Sequence, residues 1–238
     1  KTARAEFAAV YATALNGSGT NTVGIGTTLS AVAQQFTQGN VSTTENPMDL
    51  AINGAGFFQV EAPNGDIYIV DGYGKSWVFV FDKDGKFKSV FGGPTQIVDG
   101  KGFANTHKVF VDTRFSPARL LCLDRGNNRM FHVDLGGANP QMIANTGLRN
   151  PSSASFHGEL MCVAEIAGRV SVWNKEGKMV AELGANDTKG QTNTPGVKPE
   201  AWRTGIVTSP HGITFDNDGN ILETEWNTFG RVLRWNRK

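Results

Sequence analysis

Residues 120–133 read Leu120-Leu121-Cys122-Leu123-Asp124-Arg125-Gly126-Asn127-Asn128-Arg129-Met130-Phe131-His132-Val133. Two short apolar runs flank a polar loop containing glycine, the pattern of two antiparallel strands joined by a tight connection. An acid closes the first run and an arginine opens the second. The same arrangement recurs along the chain. First runs ending in an acid are Ile67-Tyr68-Ile69-Val70-Asp71, Leu160-Met161-Cys162-Val163-Ala164-Glu165 and Ile221-Leu222-Glu223-Thr224-Glu225. Their second runs are Trp77-Val78-Phe79-Val80, Arg169-Val170-Ser171-Val172-Trp173 and Arg231-Val232-Leu233-Arg234-Trp235.

Two copies continue through a charged glycine turn, Asp82-Lys83-Asp84-Gly85-Lys86 and Asn174-Lys175-Glu176-Gly177-Lys178, into a further strand. Three copies are preceded by another strand, at residues 109–112, 154–156 and 213–216. The spacing is roughly 40 to 60 residues, stretched most by the segment 186–208, and a four-stranded unit of this length is a β-propeller blade. One twisted four-stranded sheet cannot cover both of its faces, so such units stack face to face. The alternative is a β-sandwich with coincidental spacing. The recurrence of acid, loop and arginine together favours the propeller.

Composition agrees. The chain has 238 residues with 29 Gly, 15 Phe and 5 Trp, and 39% of it is hydrophobic, which suits an all-β protein with many tight turns. Twenty-three Lys plus Arg against 22 Asp plus Glu leave a net charge of +1, arguing against a nucleic-acid surface built on bulk positive charge. No apolar run reaches the ~18 residues of a membrane helix, so no membrane partner is expected. The opening Lys1-Thr2-Ala3-Arg4-Ala5-Glu6 carries no signal-peptide core, and two cysteines make no disulfide framework.

The texture changes near residue 62, dividing the chain into 1–62 and 63–238. In the first part, Ala3, Phe7, Val10, Tyr11 and Ala14 form a weak helix-period stripe, predicting a short N-terminal helix over 3–15. β-like stretches follow at 27–36, 41–44 and 50–60.

Residues 64–238 resemble NHL-repeat β-propellers of the peptidyl-α-hydroxyglycine α-amidating lyase branch. The resemblance is carried by Asn64-Gly65-Asp66-Ile67-Tyr68-Ile69-Val70-Asp71-Gly72-Tyr73-Gly74, the Asp124-Arg125-Gly126-Asn127-Asn128-Arg129 loop, Ser209-Pro210-His211-Gly212-Ile213, and Glu225-Trp226-Asn227 with Gly230-Arg231-Val232. It implies about four blades around a central channel. It also implies His107 and His211 as zinc ligands, with Tyr73 and Arg125 flanking a peptide or small-molecule ligand in that channel. In the family this constellation cleaves a C–N bond to give an amide and a glyoxylate-type product, with Tyr73 matching the base and Arg125 the holder of negative charge. Imidazole suits Zn²⁺; calcium is the second cation considered. The family uses three histidines, whereas here Ser152 and Ser153 stand at the channel position of the intermediate blade. Trp77 replaces the repeat's arginine and Lys108 the glycine after the channel histidine. The metal and lyase site is therefore incomplete, and the expectation is a binding module, with an active zinc-dependent amidating lyase as an alternative.

The repeated acids and arginines read as within-blade ion pairs or loop braces, modest in worth where exposed. Cys122 and Cys162 read as buried free thiols at similar positions of adjacent blades. His132 and His157 read as structural.

Residues 1–60 resemble the bacterial flagellar hook protein through Lys1-Thr2-Ala3-Arg4-Ala5-Glu6-Phe7, Val23-Gly24-Ile25-Gly26-Thr27, Gln35-Phe36-Thr37-Gln38-Gly39-Asn40 and Asn46-Pro47-Met48-Asp49-Leu50-Ala51-Ile52-Asn53-Gly54-Ala55-Gly56-Phe57-Phe58. This implies a structural, axial-filament segment without catalytic residues. It adds self-association, through the segment or an open blade edge, and a bacterial extracytoplasmic location, whether periplasmic, secreted or flagellar.

Overall fold

The computed structural model describes residues 65–237 in full and the backbone of residues 3–11 and 24–34. The chain divides into two compact units, Lys1–Val60 and Glu61–Lys238. In the first, β1 (Ala3–Tyr11) pairs antiparallel with β2 (Gly24–Gln34). A strand thus runs where the short helix was expected. The stripe of Ala3, Phe7 and Tyr11 fits a period of two as well, since Ala5 and Ala9 complete the alternation, and pairing with β2 satisfies the backbone along the strand. The strand expected at 27–36 falls largely within β2. Those expected at 41–44 and 50–60, and the change of texture at 62, lie outside the described residues.

The second unit is four antiparallel meanders in chain order, the blades of the repeat. Blade A holds β3 (Ile67–Val70), β4 (Trp77–Phe81) and β5 (Phe87–Gly92). Blade B holds β6 (Thr106–Asp112), β7 (Arg119–Asp124), β8 (Arg129–Asp134) and β9 (Gln141–Ala144). Blade C holds β10 (Pro151–His157), β11 (Leu160–Glu165), β12 (Arg169–Trp173) and β13 (Met179–Leu183). Blade D holds β14 (Pro210–Phe215), β15 (Ile221–Glu225) and β16 (Val232–Trp235). The first strands of B, C and D are neighbours, β10 touching both β6 and β14. The fold is all-β, and among the described residues no helix is long and apolar enough to cross a membrane.

Stacking explains why the middle strands are apolar without alternation. Side chains of a strand point alternately to its two faces, and in blades B and C both faces are buried. Along β7, Leu120 and Cys122 join Val78, Val80 and Phe131 in a core between A and B. Leu121 and Leu123 turn the other way, to Met130, Met161 and Val163 between B and C. Cys162, Val170 and Val172 face Val207 and Ile221 between C and D. Cys122 and Cys162 are therefore not in equivalent places. Each is free and buried, but they lie one register position apart and face opposite sides of their blades.

The acid at the end of each second strand anchors the chain entering its own blade. Asp124 accepts from the Ala104 amide at 2.8 Å, Glu165 from the Arg149 amide and Glu225 from the Thr208 amide. The following arginine completes the brace. Arg129 Nε donates to Asp124 at 2.7 Å, and its other nitrogens donate to the carbonyls of Val98, Lys101 and Gly102. Arg169 pairs with Glu165 at 2.7 Å and donates to Gly147 O at 2.6 Å. These two pairs tie down the linkers entering blades B and C and are buried, not exposed. Their loss carries the larger penalty of an uncompensated buried charge. Blade A lacks the arginine, as Trp77 requires, and Asp71 instead accepts from the amides of Gly74 and Lys75 at 3.0 Å.

Candidate functional site at the convergence of three bulges

The first strand of blades B, C and D carries a register shift at the same place. One extra residue stands between Thr106 and Lys108, between Pro151 and Ser153, and between Pro210 and Gly212. The inserted residues are His107, Ser152 and His211. A bulge leaves its extra residue outside the ladder and re-aims its side chain, so three equivalent positions converge where the first strands meet.

The geometry follows. The rings of His107 and His211 lie 4.9 Å apart at 87°. His107 Nδ1 lies 2.7 Å from the backbone oxygen of the intervening Ser152. A carbonyl only accepts, so Nδ1 carries the proton and Nε2 the lone pair. Nε2 is 3.5 Å from the Tyr73 hydroxyl, which accepts in turn from Arg125 Nη2 at 3.0 Å. The Arg125 guanidinium also lies 5.4 Å from the centre of the Tyr73 ring. Gly72 allows this approach, because a Cβ there would meet Thr106 O at 2.4 Å. Tyr73 is 78% exposed and marks the open side.

The remainder of the Asp-Arg-Gly-Asn-Asn-Arg loop is scaffold. Asn127 donates to Gly102 O at 2.7 Å and Asn128 to Leu148 O at 2.7 Å, holding the linkers before and after blade B. Arg125 alone of that loop reaches Tyr73.

The surroundings are cationic. Burial lowers the His107 pKa most, the Ser152 hydrogen bond opposes it, and Arg125, His211 and Lys108 push it down further, to about 4. Burial, Lys108 and Arg125 also lower that of His211. Burial lowers that of Lys108, whose Nζ donates to Ser153 Oγ at 3.2 Å. Glu223 of β15 is fully buried beside the backbone amide of His211, and its carboxyl oxygens have no well-formed hydrogen bond. Burial and Glu225 raise its pKa to about 9 against the opposing pull of Arg231 and the His211 amide, which favours its neutral form.

A resident zinc ion fits this donor set in protonation state but not in number. Two neutral imidazoles are suitable ligands, yet the third bulge offers Ser152, whose Oγ donates to Asn150 O at 3.3 Å. Among the described residues no three His, Cys, Asp or Glu side chains are grouped to hold a metal. Calcium, which takes six to eight oxygens, fits less well.

Tyr73, Arg125, His107 and His211 thus come together. Lys108 belongs with them and was legible only as a departure from the repeat. His157 lies at the opposite end of β10, and His132 is buried against Asp112 at 2.9 Å. Burial alone would raise the Asp112 pKa, but hydrogen bonds from Arg114 and His132 hold it at about 2.

No family model matches the chain. Among curated proteins it is similar to the flagellar basal-body rod protein FlgF of Caulobacter vibrioides, 36% identical over 91 residues, or 38% of this chain and 33% of that protein. It is also similar to FlgG of Buchnera aphidicola subsp. Schizaphis graminum, 41% identical over 59 residues, or 25% of this chain and 21% of that protein. The chain therefore spans a third or less of the length of these relatives. Among solved structures, a catalytically inactive virginiamycin B lyase from Staphylococcus aureus bound to quinupristin gives a TM-score of 0.48 at 13% identity, covering 75% of this chain and 54% of that one. The computationally designed Ika4 protein gives 0.45 at 9% identity, covering 74% and 87%. The resemblance to flagellar axial proteins has counterparts among the curated matches.

Proposed function

We propose that residues 65–237 are a propeller-type binding scaffold whose bulge-lined mouth takes the carboxylate of a peptide or small molecule. One observation carries this reading: the charges acting on both imidazoles, those of Arg125 and Lys108, are positive. Arg125 offers a carboxylate a two-point donor pair and Lys108 a point charge. The neutral imidazoles can accept protons as the anion arrives.

A peptide with a free C-terminal carboxylate and its amidated twin, compared by calorimetry, test the reading. The acid should bind at least about tenfold tighter, a difference of 1.4 kcal/mol, and Arg125→Gln should erase the preference. Equal binding of the two peptides overturns it. Lyase chemistry through zinc is the weaker proposal, because Ser152 occupies the third bulge. Less than a tenth of an equivalent of zinc retained after metal loading would remove it, and calcium is judged in the same assay.

A second reading is favoured by the FlgF and FlgG matches: the N-terminal unit is a flagellar axial-type segment that self-associates, placing the chain outside the cytoplasm. Electron microscopy of concentrated protein decides it, since monodisperse particles without tubes or fibres count against it.

A further inference from the structure

Interfaces B–C and C–D are built from the same repeat but are filled differently. The connection between β6 and β7 spans residues 113–118 and turns back over the B–C interface. There the Arg114 guanidinium lies 4.8 Å from the Phe156 ring centre of blade C, beside Phe115, and only about 120 Å³ stays open. The corresponding connection between β10 and β11 is a two-residue turn, Gly158-Glu159, too short to cover anything. A cavity of about 310 Å³ remains between C and D. Its walls are largely apolar, with Leu160, Val172, Leu183, Phe215, Ile221 and Trp235 among the lining residues.

The rim is polar and positive. Arg237 Nη1 lies 3.4 Å from His157 Nε2; a guanidinium only donates, so that nitrogen bears the lone pair. The backbone amide of Arg237 is fixed by Asn220 Oδ1 at 2.9 Å, while its Nε and Nη2 have no partner among the described residues. Gly219, at φ +81, makes room, since a Cβ there would meet both Arg237 and His157 at 3.0 Å. An apolar cavity with a few convergent polar groups is the general form of a small-molecule site.

We propose that this cavity is a second binding site, for a small molecule with a flat aromatic body and one anionic head. The body lies between Phe215, Trp235 and Leu183, and the head meets the free guanidinium donors of Arg237. The site is at the opposite end of β10 from the bulges, about 20 Å away at the rise of an extended strand, and does not depend on the carboxylate mouth.

The test is calorimetry of the whole chain with 1-naphthylacetate and its neutral amide. The acid should bind in the sub-millimolar range, about tenfold tighter than the amide. Ala181→Phe, on the exposed wall of the cavity, should weaken both ligands at least about tenfold. Arg237→Gln should weaken only the acid. Circular dichroism and Tm confirm that the variants fold. The proposal is overturned if neither ligand binds below about 1 mM or if Ala181→Phe binds as the parent does. Binding abolished by Arg125→Gln but kept in Ala181→Phe also overturns it, and would assign the ligand to the bulge-lined mouth.

Discussion

Blades B and D are two copies of one unit, and they differ most where the unit is held together. In B the second strand is apolar through Leu120-Leu121-Cys122-Leu123, and the Asp124–Arg129 pair closes at 2.7 Å. In D the position equivalent to Cys122 and Val163 is Glu223, buried without a well-formed hydrogen bond. There the pair opens to 3.6 Å between Glu225 and Arg231, and Arg231 Nη1 has no hydrogen-bond partner. The repeat therefore tolerates a poorly satisfied carboxyl beside the candidate site that it does not carry in its middle blades. The closed acid–arginine pairs are those of B and C.

Arg129→Ala is the most severe way to break that contrast. It strips a buried carboxylate of its partner and releases three linker carbonyls, so a loss of about 3–5 kcal/mol is expected, read as a Tm fall of roughly 10 °C. Arg231→Ala in blade D should lose about 1 kcal/mol or less by the same measurement, because its pair is already open. Equal losses would refute the contrast.

Glu223→Val tests it from the other side. Restoring the apolar residue of the other blades removes a buried, poorly satisfied carboxyl, and a gain of about 1–3 kcal/mol in denaturant unfolding is expected. A loss would show that the carboxyl has a partner.

The smallest effect is pH-dependent. His107 titrates at about 4 in the fold against 6.5 unfolded. Between those values the unfolded chain binds more protons, so stability present above pH 6.5 is lost as pH falls towards 4. The group is half exposed, so about 1 kcal/mol is expected after solvent screening. His107→Asn should flatten the Tm–pH curve in that window. Carboxylate binding at the mouth should strengthen over the same window as the imidazoles gain charge.

The blades were legible because their signals are local. The first runs ending in Asp71, Asp124, Glu165 and Glu225 became β3, β7, β11 and β15 nearly residue for residue, since strand, acid and turn follow one another in sequence. The glycine turns at Asp82-Lys83-Asp84-Gly85-Lys86 and Asn174-Lys175-Glu176-Gly177-Lys178 also fell between strands, with Gly85 and Gly177 at φ +78 and +77. What was not legible depends on pairing. The helix expected over 3–15 gave way to a strand because the partner supplied by β2 cannot be read from a periodicity. The bulges at His107, Ser152 and His211 exist only against a second strand. The family resemblance named Tyr73, Arg125, His107 and His211, the four residues that meet at the mouth. It marked Lys108 only as a departure from the repeat and not as a member of the site, because a lysine on a strand looks like any solvated one until the neighbouring Ser153 is in place.

The opposite facing of the two thiols has a practical consequence. Burial pushes up the Cys122 pKa and raises that of Cys162 to about 12, so neither is a reactive thiolate in the closed fold. Each will be alkylated only when its own seam breathes: A–B for Cys122, C–D for Cys162. The chain thus carries two built-in clocks, one per seam, and a molecule lodged between blades C and D should slow the Cys162 clock while leaving the other running.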